Sequence, residues 1–224
     1  LAGVKVIASC SHDTGAAVAA VPAEGEGWAY LSSGTWSLLG VERETPLIND
    51  ACRERNFTNE AGYGGTTRLL KNLAGLWLLQ ECRREWAEAG EVHDYAALAE
   101  AAAGSEPLRS LIRPDDARFA SAGGMPEKIR AACRENGEPE PRTVGEMTRA
   151  IFDSLALLYR SALAEVETLT GTPIRRLHVV GGGSRNRYLN QWTADAIGRE
   201  VLAGPAEATA IGNILMQAKA RGRI

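Results

Sequence analysis

The 224-residue chain carries 25 Lys and Arg against 28 Asp and Glu, a net charge of −3, with 45% hydrophobic and 24% charged residues. This composition is that of a soluble globular protein and excludes collagen, extended disorder and coiled-coil arrays. The acidic balance offers no general attraction to nucleic acid or anionic lipid, and no apolar run is long enough to span a bilayer.

Cys10, Cys52, Cys82 and Cys133 lie 42, 30 and 51 residues apart, so no C-x-x-C pair points to zinc or a redox dithiol. A reduced, cytoplasmic chain is the expectation. The opening Leu-Ala-Gly-Val has no initiator Met and no signal-peptide pattern, and predicts that an N-terminal half is missing. The 21 Arg and only 4 Lys, beside abundant Ala and Gly, suggest a GC-rich coding sequence and say little about function.

In chain order, Val4, Val6, Ile7 and Ala8 predict a short buried strand over 3–9. The polar cluster Ser11-His12-Asp13-Thr14-Gly15 ends it and a small-residue helix over 16–20 follows. Residues 28–33 and 36–42 read as two strands joined by a turn around Ser33-Gly34-Thr35. Leu69, Leu73, Leu76 and Trp77 recur at helical spacing and predict one helix over 69–89. Residues 90–142 mix an Ala-rich helix (95–103), a turn at 113–116, a helix near 127–135 and a polar stretch at 137–141, read together as an insertion or cap region.

Thr143 and Glu146 make a capping box ahead of a long amphipathic helix through Leu169, stopped by Gly171. A strand over 174–180, the Gly181-Gly182-Gly183-Ser184 turn, a helix over 187–197, a strand over 200–202 and a helix over 206–220 complete an α/β ending.

Asp13 follows a predicted strand, where α/β sheets place ligands, yet Asp13 or Ser11 serves equally well as a helix cap. His12, in the same loop, is as readily an ordinary hydrogen-bonding residue, and His93 and His178 read as structural or exposed. The triple glycine lets a flat ligand or a phosphate approach the backbone, and it also suits a tight strand-to-helix connection, with Ser184 and Asn186 as caps. On the predicted helix, Asn72 and Gln80 stand about 12 Å apart along the axis, so one edge could touch two ligands.

Four stretches occur together: Ser11-His12-Asp13-Thr14, Tyr30 through Ser37 (YLSSGTWS), Lys71-Asn72 with Gly75 through Gln80 (GLWLLQ), and the closing glycine motif. In this order they resemble the FGGY carbohydrate kinases, densely over 3–80 and 143–218 and thinly over 90–142. The resemblance implies an actin-like, RNase H-like ATPase domain, a mixed sheet flanked by helices. Residues 1–224 would be the C-terminal half of a two-domain sugar kinase.

It further implies ATP with Mg²⁺ as cofactors and a keto sugar as substrate, expected to be L-rhamnulose phosphorylated at its 1-position. Asp13 would be the catalytic base, and His12, Thr14 and Asn72 would contact the sugar. Thr35 would lie near the ATP phosphates, with Gln80 and Gly182 at the nucleotide. The run from Gly204 to Asn213 matches another family motif, whose glycine would allow close helix packing beside the nucleotide site. Gly15 departs from the pattern, since Ala is expected there, and should loosen the turn without removing chemistry.

The family's other phosphate loop is absent from these residues, so the chain alone is expected not to turn over, and the missing N-terminal domain is its expected partner. Another ketose or pentulose kinase, or a noncatalytic nucleotide-binding module, is the alternative. A nucleic-acid or membrane partner is not expected.

Overall fold

In a computed structural model, residues 3–10 and 12–224 are described. The first helix, α1 (Asp13–Ala19), is followed by strands β1 (Trp28–Ser33) and β2 (Trp36–Arg43), a short helix α2 (Asp50–Glu54), and strands β3 (Thr58–Ala61) and β4 (Thr67–Ala74). Helices α3 (Trp77–Glu88), α4 (Tyr95–Ala103), α5 (Met125–Glu135) and α6 (Val144–Thr170) come next. Strand β5 (Arg176–Val180), helix α7 (Arg187–Ile197), strand β6 (Glu200–Ala203) and helix α8 (Ala208–Ala220) end the chain.

The strands form one sheet in the order β3-β4-β2-β1-β5-β6. Strands β3, β4, β2 and β1 pair antiparallel, whereas β1, β5 and β6 pair parallel. The order follows from the turns: a tight connection joins β1 to β2, and whole helices carry the chain to β5 and from β5 to β6. The result is the expected mixed sheet with helices on both faces.

On one face, Leu31, Leu39, Leu69, Leu73, Leu177 and Val179 join α6 and α7 in the main core. The periodicity of α6 is realised over 27 residues, about 40 Å of helix, with both halves of the capping box formed and Gly171 left-handed at its end. Tyr159, wholly buried on α6, shares a 2.8 Å hydrogen bond with Ser37 Oγ of β2. Burial pushes its hydroxyl up to about 12, which keeps it protonated and neutral beneath the sheet. On the opposite face, α1 and α8 pack through small residues: Ala17 and Ala208 meet Val180, and Val18 meets Tyr30 and Leu70.

Two sequence expectations are corrected. Residues 4–10 form no strand, and Val4 and Val6 are 66% and 96% exposed. The segment has the composition of a strand but no pairing partner in the six-stranded sheet. Residues 69–74 are strand rather than helix, so Asn72 and Gln80 do not share a helix. The i, i+4 spacing of Leu69 and Leu73 is even, and it therefore satisfies one face of a strand as well as one face of a helix. His178 is buried and packs edge-on at 5.9 Å against Trp28.

Residues 90–142 contribute Leu98, Ala102, Ile112, Phe119, Met125 and Ile129 to the same core as the sheet and α6. A buried ion pair tethers this region: Arg149 Nε donates to Asp153 at 2.9 Å, and Asp153 Oδ2 also accepts from Leu108 N–H at 2.6 Å. Gly15 sits against Cys10, where an added Cβ would stand only 2.8 Å from the Cys10 Cβ, so the residue allows close packing rather than loosening a turn. Gly212 of α8 likewise presses on the Ala16 carbonyl of α1. Its Cβ has no room, so Gly212→Ala is expected to destabilise the domain by about 1–3 kcal/mol, read as a lower urea midpoint with an unchanged slope.

Candidate active site

Strands β1, β4, β5 and β6 all point their carboxyl ends toward one edge of the sheet. Four turns gather there, after Ser33, Ala74, Val180 and Ala203, and an α/β sheet offers its ligand crevice at this edge. The turns are tied to one another through backbone groups. Leu76 N–H donates to the Gly34 carbonyl at 2.9 Å, and Trp77 N–H to the Thr35 carbonyl at 3.0 Å. Gly181 N–H donates to the Pro205 carbonyl at 3.2 Å.

Glycine is required at these crossings. A Cβ on Gly75 would stand 2.6 Å from the Thr35 carbonyl oxygen, and one on Gly181 2.8 Å from that of Ser33. Gly181 also has φ of +82°, a left-handed conformation that side chains disfavour. Gly183 rests on the Ser33 hydroxyl, whereas a Cβ on Gly182 would meet nothing within 4 Å. Of the three consecutive glycines, two therefore serve packing and one leaves open space.

That space belongs to a cavity of about 520 Å³. Its floor is Gly34, Gly182 and Gly183, one wall is Leu76, Leu79 and Gln80 of α3 and the residue before it, and the facing wall is Tyr95, Ala96, Ala99 and Glu100 of α4. The segment Arg185–Tyr188 closes the third side. Size and apolar lining suit a flat organic ligand of moderate size. Gln80 makes no side-chain hydrogen bond among the described residues and lines the cavity with its amide available. Asn186 caps α7, accepting from Leu189 N–H at 3.1 Å.

Gln80 and Gly182 thus come together in this cavity, with Gly34, the neighbour of Thr35, beside them. Asp13, His12, Thr14 and Asn72 are not among the cavity's lining residues. Asp13 opens α1 with its side chain 75% exposed, beside His12 at 54%. Its Oδ1 accepts from Thr14 N–H at 2.7 Å, and His12 Nδ1 lies 3.2 Å from the same oxygen. His12 is the N-cap of α1, its Nδ1 also taking the Thr14 N–H at 3.3 Å, while Thr14 is buried and Ser11 lies outside the described residues. Asp13 therefore points its carboxylate outward from a turn held by its neighbours.

Asn72 pairs with Leu38 on the sheet. Lys71, next to it, reaches Glu165 of α6 at 2.7 Å, so strand alternation turns Asn72 to the α1 side, where it is exposed. Trp36, 55% exposed, lies two pairs further along the same ladder.

Sequence reasoning missed the α4 wall and Arg185–Tyr188. The Ala-rich composition of α4 carried no signal of a ligand. Arg187 and Tyr188 did carry one, separated from the Gly181–Ser184 turn by two residues. Glycine positions separate packing from ligand space experimentally: Gly183→Ala is expected to lower stability by about 1–3 kcal/mol, whereas Gly182→Ala leaves the thermal midpoint within a degree or two.

Residues 29–221 match the model of the FGGY family of carbohydrate kinases, C-terminal domain. The chain is 53% identical over 222 residues to a rhamnulokinase of Bacteroides thetaiotaomicron, covering 99% of this chain and 45% of that protein. It is 46% identical to a rhamnulokinase of Bacillus subtilis, covering 97% and 44%. It thus spans less than half the length of these curated relatives. Among solved structures it resembles the Plasmodium falciparum glycerol kinase determined with ADP, with a TM-score of 0.65 at 13% identity over 94% of this chain and 44% of that one. With its glycine-built crevice at the carboxyl edge of a mixed sheet, the chain belongs to the FGGY family of carbohydrate kinases and corresponds to their C-terminal domain.

Proposed function

We propose that this chain supplies the catalytic carboxylate and the nucleotide half-site of an ATP-dependent ketose kinase, acting on the 1-hydroxyl of L-rhamnulose. The observation that carries the reading is the cavity that collects Gln80, Gly182 and the Gly34–Thr35 turn at the carboxyl edge of the sheet. The choice of sugar is supported by the rhamnulokinases that this chain matches at 46–53% identity.

In this reading the adenosine lies over Gly182, where no side chain intrudes, with Gln80 beside it. The phosphates run toward the Ser33–Trp36 turn, which brings Thr35 near them. His12, Thr14 and Asn72 contact the sugar on the α1 side. Asp13, exposed and, among the described residues, anchored only through Oδ1, orients the attacking hydroxyl and takes its proton as the new O–P bond forms and the bond from the γ-phosphorus to the β,γ-bridging oxygen breaks, releasing ADP. In a loose transition state the proton leaves late, so no unusually basic acceptor is required.

Mg²⁺, when bound with ATP, neutralises charge on the phosphates. Among the described residues no group of three or more His, Cys, Asp or Glu is gathered to hold a metal. The chain is therefore a poor fit for a protein-built metal cage, and no step is assigned to one. The other half of the site is assigned to an N-terminal domain in a longer, cytoplasmic protein. Among the described residues no helix is long and apolar enough to cross a membrane.

The test is ADP production by the two-domain protein carrying this chain, with L-rhamnulose, D-xylulose and glycerol offered in parallel. L-rhamnulose is expected to give the highest kcat/KM, and a preference for either other acceptor refutes the sugar assignment. Asp13→Asn keeps the shape and removes the proton acceptor, so kcat is expected to fall roughly 10²–10⁴-fold with the KM for ATP little changed. The isolated chain is expected to bind ADP, as measured by calorimetry, and to release none from ATP when sugar is added. Gly182→Val should abolish that binding without unfolding the domain.

A further inference from the structure

The cavity has two unlike ends. One is backbone, the glycines of the Ser33–Trp36 turn and of the bend after β5, where Arg185 of the same bend is engaged by Glu207 at 3.1 Å. The other is a clasp between the α4 wall and the start of α7. Arg187 Nη2 donates to Glu100 Oε1 at 2.7 Å and to the Tyr188 hydroxyl at 2.8 Å, and the Tyr188 hydroxyl donates to Glu100 Oε2 at 2.6 Å. The Arg187 guanidinium also lies 4.6 Å from the centre of the Tyr188 ring. Both walls are anchored, α4 through Leu98 and Ala102 in the core and α7 through Leu189.

The two Nη2 protons of Arg187 and the hydroxyl proton of Tyr188 are spent within this clasp. A carboxylate has about four acceptor positions and no donor, and the clasp uses one on each oxygen. Glu100 therefore presents spare acceptor capacity at the rim of an apolar slot made by Leu76, Leu79, Ala96 and Ala99. The Tyr188 hydroxyl, then Arg187, holds its carboxyl below the usual range, so it is an anion at neutral pH. An anion here also turns a polyphosphate toward the opposite, glycine end of the cavity.

From this geometry we infer that Glu100 selects the base of the bound nucleotide, accepting from a 6-amino purine and disfavouring a 6-oxo purine, whose oxygen would set acceptor against acceptor. The inference rests on the cavity being the nucleotide site. It assigns Glu100 as a specificity residue, with Arg187 as the residue that positions it.

Inosine diphosphate is the clean probe, since it differs from ADP at position 6 and at the N1 proton that accompanies the oxo form. Calorimetric titration of the 224-residue chain should show ADP binding about tenfold tighter than inosine diphosphate, the scale of one mismatched hydrogen bond. Glu100→Gln, whose amide can turn its NH₂ toward an oxo group, should bring the two within about two- to threefold. Tyr188→Phe leaves the carboxylate in place and should keep the preference for ADP.

If ADP binds and Gly182→Val blocks it, yet wild type or Tyr188→Phe shows no preference, or Glu100→Gln keeps the wild-type ratio, the inference falls while the nucleotide site stands. If the wild-type chain binds neither nucleotide, both fall.

Discussion

The site depends on backbone meeting backbone without intervening side chains. The turn between β1 and β2 is contacted by the segment after β4 and by the bend after β5, and at each contact a Cβ would come within 3 Å of a carbonyl oxygen. Gly75 and Gly181 remove that obstacle. The hydrogen bonds from Leu76 and Trp77 then satisfy turn carbonyls that would otherwise need water. Three loops distant in sequence become one rigid floor, and a floor of backbone is what allows a flat ligand to lie close.

This floor is held from below by the long helix α6. Its capping box fixes where it starts, and its apolar stripe fixes which face meets the sheet. Among the polar groups that α6 buries, Tyr159 is paired with Ser37, and Arg149 with Asp153, whose second oxygen also takes the Leu108 N–H. A buried ion pair contributes little net stability, but removing one partner is costly, so such contacts specify where residues 90–142 must lie more than they strengthen the fold. Through them α4 is set as a wall of the cavity. The opposite face carries α1 and α8, packed through Gly15, Ala16, Ala17 and Gly212, small residues that bring two helices close and leave the first turn of α1 at the surface.

Much of the element order was legible because its signals are local. The hairpin 28–43, the capped helix 144–170, the glycine bend and the two last helices each carry their own pattern of turn residues and apolar spacing. The failures are equally physical. Leu69 and Leu73 obey helix and strand at once, and what decides for strand is pairing with β2, a partner some 30 residues away. Val4 and Val6 have strand-like alternation but, among the described residues, pair with no strand of the six-stranded sheet. Asn72 and Gln80 consequently lie on a strand and a helix separated by the turn at Gly75, facing different surroundings.

The α/β character, the long capped helix, the glycine-rich turns and, through four motifs in order, the resemblance to carbohydrate kinases are readable from the chain alone, since each is written in composition or in contacts a few residues apart. Packing between distant segments is what leaves Gly182 facing open space while Gly181 and Gly183 are pressed against Ser33, and what makes an Ala-rich helix from the least legible region supply Glu100 to the cavity. Adjacent glycines are chemically identical, and a helix carries no mark of the surface it will face. Both differences arise from excluded volume and hydrogen bonds between segments far apart in the chain.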